Sequence, residues 1–214
     1  TNIRFKGTIE RILFCGVGGS SIVGELLSAY LTELNIKIPL YVVQNYDLPP
    51  YADYTSVIIV SSYSGNTEEA LSCYKEALKK NLNIVTVTSG GKLKELSEMS
   101  HTPMVLLPKG YQPRNAIAYQ FFPIIKILEN SGILSNRSKE VHELEESLRR
   151  NIKGFEKEAM NVADKLYGKI PIIYSSIRFF CVAYRMKSEL NENSKILAFC
   201  NKFPEMNHNE INGY

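Results

Sequence analysis

The chain has 214 residues, of which 44% are hydrophobic and 22% charged, with a formal charge of +3. A chain this long buries roughly 70% of its unfolded surface, so it folds without disulfide or metal staples, and its composition excludes disordered, collagen-like and coiled-coil classes. Lysine and arginine are scattered rather than gathered into a stripe, so nucleic-acid binding is not expected. No apolar run approaches the ~20 residues of a membrane span, so no membrane partner is expected either.

The first half alternates between two periods. Arg11–Cys15 reads as a buried strand, Ser21–Leu34 as a helix, and Pro39–Val43 and Val57–Val60 as further strands. Thr67–Lys80 is helical, Ile84–Thr88 a strand, Lys92–Met99 a short helix, Met104–Leu107 a strand and Asn115–Glu129 an apolar helix. Strands alternating with helices predict a parallel sheet covered on both faces, an α/β fold of three αβα layers. The texture then changes. Asn136–Leu166 is charged and helical, and reads as a linker helix or a helix pair, broken near Gly154. Alternation restarts with a strand at Ile170–Tyr174, a helix at Phe179–Leu190 and a strand at Lys195–Cys200. Two strands cannot close a core of their own. The expected organisation is a complete domain at 1–135, a helical linker at 136–166 and part of a second unit at 167–214. The sequence begins with Thr, and it is expected to be a piece of a chain of roughly 300 residues, in the two-domain range.

Cys15, Cys73, Cys181 and Cys200 lack the C-x-x-C spacing of a zinc site. They are read as four buried free thiols in a reducing, cytoplasmic setting. His101 and His142 lie on polar segments and receive no role.

Two loops carry the chemistry. Gly16-Val-Gly-Gly-Ser-Ser-Ile-Val-Gly24 joins a strand to a helix. Glycine there allows a sharp turn and close approach of a ligand, and the helix start favours an anion. It is not a dinucleotide fingerprint, since Ser21 stands where the third glycine belongs, and no Gly-Lys-Ser/Thr follows to make a P-loop. This argues against an NAD-linked dehydrogenase. The second loop, Ser61-Ser-Tyr-Ser-Gly-Asn-Thr-Glu-Glu69, also joins a strand end to a helix start. Ser62, Ser64 and Thr67 offer more short donors than a cap needs, which suits a caged phosphate. Asn66 with Glu69 forming a capping box is the plainer alternative. In an open parallel sheet both loops would lie beyond the carboxyl ends of the strands, where ligands bind. Together they point to a phosphorylated small molecule.

These two loops resemble the sugar isomerase (SIS) domain, an αβα fold that binds phosphosugars. Tyr111-Gln-Pro-Arg-Asn-Ala116, Tyr184-Arg-Met-Lys-Ser-Glu-Leu-Asn-Glu-Asn193 and Phe203-Pro-Glu-Met-Asn-His-Asn-Glu210 narrow it. In that order they resemble the archaeal-type bifunctional phosphoglucose/phosphomannose isomerases. The resemblance implies metal-free, cofactor-free interconversion of glucose 6-phosphate and mannose 6-phosphate with fructose 6-phosphate, through a cis-enediol(ate), by a homodimer. It implies that Ser62, Ser64 and Thr67 hold the phosphate and that Gly18, Gly19 and Ser20 line the sugar. Arg114 would stabilise the enediolate, and Glu205 would shuttle the proton. A ring-opening His and a catalytic Lys would come from later in such a chain, and His208 competes for the ring-opening role with a structural place in a turn. Lys187, Asn191 and Asn193 are read as packing or interface residues. On the residues alone, Arg114 just before an apolar helix opposes the helix dipole, a conflict that an anion would relieve. Glu205 agrees with the dipole at its own helix start, so only the motif marks it as a base. A base there would want partial burial to raise its pKa. A non-catalytic phosphosugar-binding regulator is the alternative from a different class.

Overall fold

The computed structural model describes residues 1–213, which divide into two compact units, Thr1–Leu134 and a second that begins at Ser135. Among the described residues no helix is long and apolar enough to cross a membrane.

In the first unit the order is β1 (Arg11–Cys15), α1 (Gly19–Glu33), β2 (Leu40–Val43), β3 (Ser56–Ser61), α2 (Glu68–Lys79), β4 (Asn83–Thr88), α3 (Gly91–Met99), β5 (Met104–Leu106) and α4 (Ile117–Asn130). The five strands are all parallel and lie in the order β2-β1-β3-β4-β5. Successive strand residues face opposite sides of the sheet. Ile12, Phe14, Val57, Ile59 and Val87 meet Val23 and Leu27 of α1 and Ile124 and Leu128 of α4. Leu13, Cys15, Ile58 and Val60 meet Ala70 and Tyr74 of α2 and Leu93 of α3. These are the three layers the alternation predicts. With both faces covered, β3 can be apolar at every step from Val57 to Val60, and each buried aliphatic side chain contributes about 1.5–3 kcal/mol.

The strand order places the site. From β1 the chain crosses to β2 on one side, then returns past β1 to β3 on the other. Between β1 and β3 the winding reverses, and loops leaving their carboxyl ends part to leave a crevice. The opposite end of the sheet is closed by a polar knot. Arg11 Nη1 donates to Asp53 Oδ1 at 2.7 Å, and the Thr55 hydroxyl donates to the same oxygen at 2.7 Å. The Thr55 hydroxyl first, then Arg11, hold the Asp53 carboxyl down at about 2.

The second unit holds α5 (Ser138–Leu166), β6 (Ile172–Ser176), α6 (Phe180–Asn193) and β7 (Phe199–Phe203). β6 and β7 pair in parallel, Tyr174 opposite Asn201. Three expectations are corrected. α5 runs unbroken through Gly154 for 29 residues. One glycine costs about 1 kcal/mol against alanine, too little to stop a propagating helix. Ion pairs such as Glu145–Arg149 at 2.8 Å support it along its exposed surface. β6 begins two residues later than expected and β7 four. Lys195 takes a left-handed φ of 57°, and Asn191 Nδ2 donates to Ile196 O at 2.8 Å, so this segment is a turn. Finally, all four thiols are free, but only Cys15, Cys73 and Cys181 are buried. Cys200 lies on a two-stranded sheet and is half-exposed.

Candidate functional site

β1 ends at Cys15, and a Cβ on Gly16 would lie 2.9 Å from Ser61 O, so the loops after β1 and β3 touch. Gly18 is the N-cap of α1 and has no side chain to cap with. Ser20 is buried on the first turn, and the Ser21 hydroxyl donates to Gly18 O at 2.8 Å. At Gly19 a side chain would be crowded by backbone. Its Cβ would sit 3.0 Å from Arg114 N and 3.1 Å from the Pro113 carbonyl carbon. The bare backbone of Gly19 therefore lets the Arg114 turn settle directly on the start of α1.

The second loop leaves β3 at Ser61. The Ser62 and Thr67 hydroxyls share a hydrogen bond at 2.8 Å across its mouth. Gly65 N donates to Ser62 O and Ser62 Oγ, both at 3.1 Å, and Asn66 N donates to Ser64 Oγ at 3.2 Å. Ser62 is buried, Thr67 half-buried and Ser64 exposed. The capping-box alternative is not what forms. Thr67 is the N-cap of α2 and makes no side-chain capping bond. Asn66 instead accepts from Lys92 N at 2.9 Å and so caps α3. The reason is the turn at Gly65, whose φ of +73° and contact with Gly90 lay the loop across the start of α3. Leu93 N then donates to Gly65 O at 2.8 Å. With its own cap directed elsewhere, the start of α2 keeps its amides and dipole for an anion. Glu68 and Glu69 on its first turn lie near Tyr46. The charge of Glu69, then of Glu68, raises the Tyr46 phenol.

Tyr63, which the sequence did not mark, joins this loop to the Arg114 segment. Its hydroxyl donates to Pro108 O at 2.7 Å and accepts from Tyr111 N at 2.9 Å. Arg114 is half-buried in a 3₁₀ turn, Pro113–Asn115, and not in the first turn of α4, which starts at Ile117. The predicted conflict with the helix dipole is softened by that separation. The electrostatic sense survives, since α4 has neither a side-chain cap nor an acidic residue in its first turn. Guanidinium and helix start are thus electropositive together. Gly18, Gly19, Ser20, Ser62, Ser64, Thr67 and Arg114 all stand on loops, turns or helix starts of the first unit.

Glu205 belongs to the second unit. It opens a 3₁₀ turn, Glu205–His208, directly after β7. It is exposed, not partly buried as a base would want, and its Oε1 accepts from Asn209 Nδ2 at 2.7 Å. His208 is exposed on the same turn. Glu210 accepts from Tyr174 OH at 2.7 Å and from Asn201 Nδ2, side chains of a cross-strand pair. Among the described residues no three His, Cys, Asp or Glu side chains gather into a metal-binding group.

The chain resembles known proteins in sequence and in fold. Residues 155–214 match the family model of the bacterial phospho-glucose isomerase C-terminal SIS domain. The bifunctional phosphoglucose/phosphomannose isomerase of Caldicellulosiruptor bescii is 39% identical over 96% of this chain and 62% of its own length. The D-glucosamine-6-phosphate 4-epimerase of Sulfolobus acidocaldarius is 36% identical over 97% of this chain and 65% of its own. The chain therefore spans less than two thirds of the length of these curated relatives. In structure it resembles the C-terminal domain of glucosamine-fructose-6-phosphate aminotransferase from Francisella tularensis, with a TM-score of 0.69 and 16% identity over 95% of this chain and 61% of that one. Along nearly its whole length the chain is similar in sequence to bifunctional phosphoglucose/phosphomannose isomerases, and it has the fold of the phosphosugar-isomerase (SIS) structures it resembles.

Proposed function

We propose that this chain belongs to a metal-free, cofactor-free aldose–ketose isomerase that interconverts glucose 6-phosphate and mannose 6-phosphate with fructose 6-phosphate. The observation that carries the reading is the pairing of two devices at one sheet edge. One is a hydroxyl cage, Ser62, Ser64 and Thr67, at a helix start whose neighbouring cap faces away. The other is the Arg114 turn seated on Gly19.

The phosphate is held by the three hydroxyls and the α2 amides. Gly18, Gly19 and Ser20 line the sugar. The Glu205 carboxylate removes the proton from C2 of the aldose, and the C–H electrons form the C1=C2 bond of the enediolate while the carbonyl oxygen takes the negative charge. Arg114 stabilises that charge, which is the large term in such reactions. The proton returns to C1, and the hydroxyl proton passes between O2 and O1, giving the ketose. Residues 1–135 act as the phosphosugar-binding domain, 136–166 as a linker helix, and 167–214 as part of a second SIS-like unit. The enzyme works as a cytoplasmic homodimer in glycolysis and gluconeogenesis.

The test is the natural full-length protein incubated with fructose 6-phosphate, beside Glu205→Gln. Glucose 6-phosphate and mannose 6-phosphate should appear with the wild type. Glu205→Gln should lose turnover yet still bind 5-phospho-arabinonate, an enediolate mimic. Binding by the wild type with no turnover would favour the non-catalytic regulator. A second reading follows from the Sulfolobus relative, a D-glucosamine-6-phosphate 4-epimerase, and production of a 4-epimer from an amino-sugar phosphate by the wild type would favour it.

A further inference from the structure

Beneath the site two polar side chains meet in the core. The Ser61 hydroxyl donates to Gln120 Oε1 at 2.7 Å, and the two residues are 1% and 0% exposed. They are 59 positions apart in the chain. Ser61 is the last residue of β3 and is joined covalently to Ser62 of the phosphate cage. Its carbonyl also abuts Gly16 of the first loop. Gln120 lies in the first turn of α4, and its Nε2 reaches the Ala116 carbonyl at 3.5 Å. Ala116 follows Asn115, the last residue of the Arg114 turn. The helix face that holds Gln120 is otherwise Ala116, Ile124 and Ile127, all fully buried.

Stability does not require this pair. Replacing both partners of a buried hydrogen bond by apolar groups of similar shape is often neutral, whereas removing one leaves the other buried and unsatisfied, which destabilises the fold. What a directional bond adds to packing is register. Here it locks the end of β3, which carries the phosphate donors, to the start of α4, which follows directly from the oxyanion-stabilising turn.

We propose that the Ser61–Gln120 hydrogen bond is a strut that fixes Arg114 relative to the Ser62/Ser64/Thr67 cage, with Gln120 a positioning residue. This rests on the isomerase reading above. A hexose phosphate gripped at one end presents its carbonyl at a set reach. A shift of about 1 Å between grip and cation costs on the order of 10²-fold in rate.

The experiment compares full-length wild type, Gln120→Met, Ser61→Ala and the double variant. Urea midpoints, kcat and KM with fructose 6-phosphate, and the Kd of inorganic phosphate are measured for each. Each single variant should lose stability, and its kcat should fall about tenfold or more while phosphate affinity changes by less than about twofold. In the double variant stability should return toward wild type while kcat stays low. Recovery of kcat along with stability would show a merely structural bond and overturn the strut. So would a kcat near wild type in all three variants. A folded wild type without turnover on fructose 6-phosphate would sink the isomerase reading and the strut together.

Discussion

Replacing Gly65 by alanine tests how tightly the second loop is built. Its φ of +73° costs an L-residue about 1–2 kcal/mol. An added Cβ would stand 1.8 Å from Gly90 O, closer than any side-chain carbon can sit, and the atom in the way is backbone. The loop must therefore lift from the start of α3. That endangers the Leu93 N–Gly65 O bond at 2.8 Å and the Lys92 N–Asn66 Oδ1 bond at 2.9 Å. With each bond contributing about 1 kcal/mol net, the expected loss is ~3–4 kcal/mol. At ordinary slopes for urea unfolding this lowers the midpoint by about 1–2 M. Circular dichroism through a urea titration reads it. The same lift moves Ser64 and Asn66, so inorganic phosphate should bind more weakly to the variant, measured by isothermal titration. An unchanged midpoint with unchanged phosphate affinity would refute the close approach of Gly65 to Gly90 and the reasoning drawn from it.

Three further outcomes follow from the same geometry. Gly154→Ala should raise the stability of α5 by about 0.5–1 kcal/mol, seen as a higher melting midpoint, because nothing lies within 4 Å of the new Cβ. The Asp53 carboxyl is held at about 2, below its ordinary value of 3.8, so its contribution is present above the unfolded value and is lost as pH falls through the folded one. Urea midpoints compared at pH 4.5 and pH 2.5 should therefore fall less in Asp53→Asn than in wild type. Of the four thiols, half-exposed Cys200 should react first with a disulfide reagent in native protein, and the other three only on unfolding. Rapid native labelling of Cys15 would contradict the packing of β1 against α2.

Much of the first unit was legible because its strands are buried on both faces. Runs such as Val57–Val60 carry no alternation to confuse with a helix, and they end abruptly in Gly16 or in Ser61–Ser64. The β2-β1-β3-β4-β5 order was not legible, because strand neighbours depend on long-range packing that leaves no local mark. The loops could be recognised as anion-friendly, but not the direction of each cap. Asn66 satisfies the sequence pattern of a cap for α2 and yet serves α3, a choice made by the Gly65–Gly90 contact. Gln120 left one faint signal, a polar residue at helical spacing among apolar ones, whose partner Ser61 is remote in sequence. In the second unit the strand limits slipped because Ile196 and Leu197 look extended while Lys195 turns the chain. The break at Gly154 was misplaced because local propensity was weighed without the length of helix around it.

The account turns most directly on the hydroxyl cage and the arginine acting on one ligand. Isothermal titration of 5-phospho-arabinonate into wild type, Ser62→Ala and Arg114→Met measures it, with circular dichroism to confirm folding. The wild type should bind in the micromolar range. Each variant removes a charge-assisted contact of about 1.5–3 kcal/mol, so each should bind about 10–100-fold more weakly. Inorganic phosphate should still bind Arg114→Met while losing affinity for Ser62→Ala. Folded wild type that takes up no ligand, or variants that bind as tightly as wild type, would contradict a phosphosugar site at this edge of the sheet.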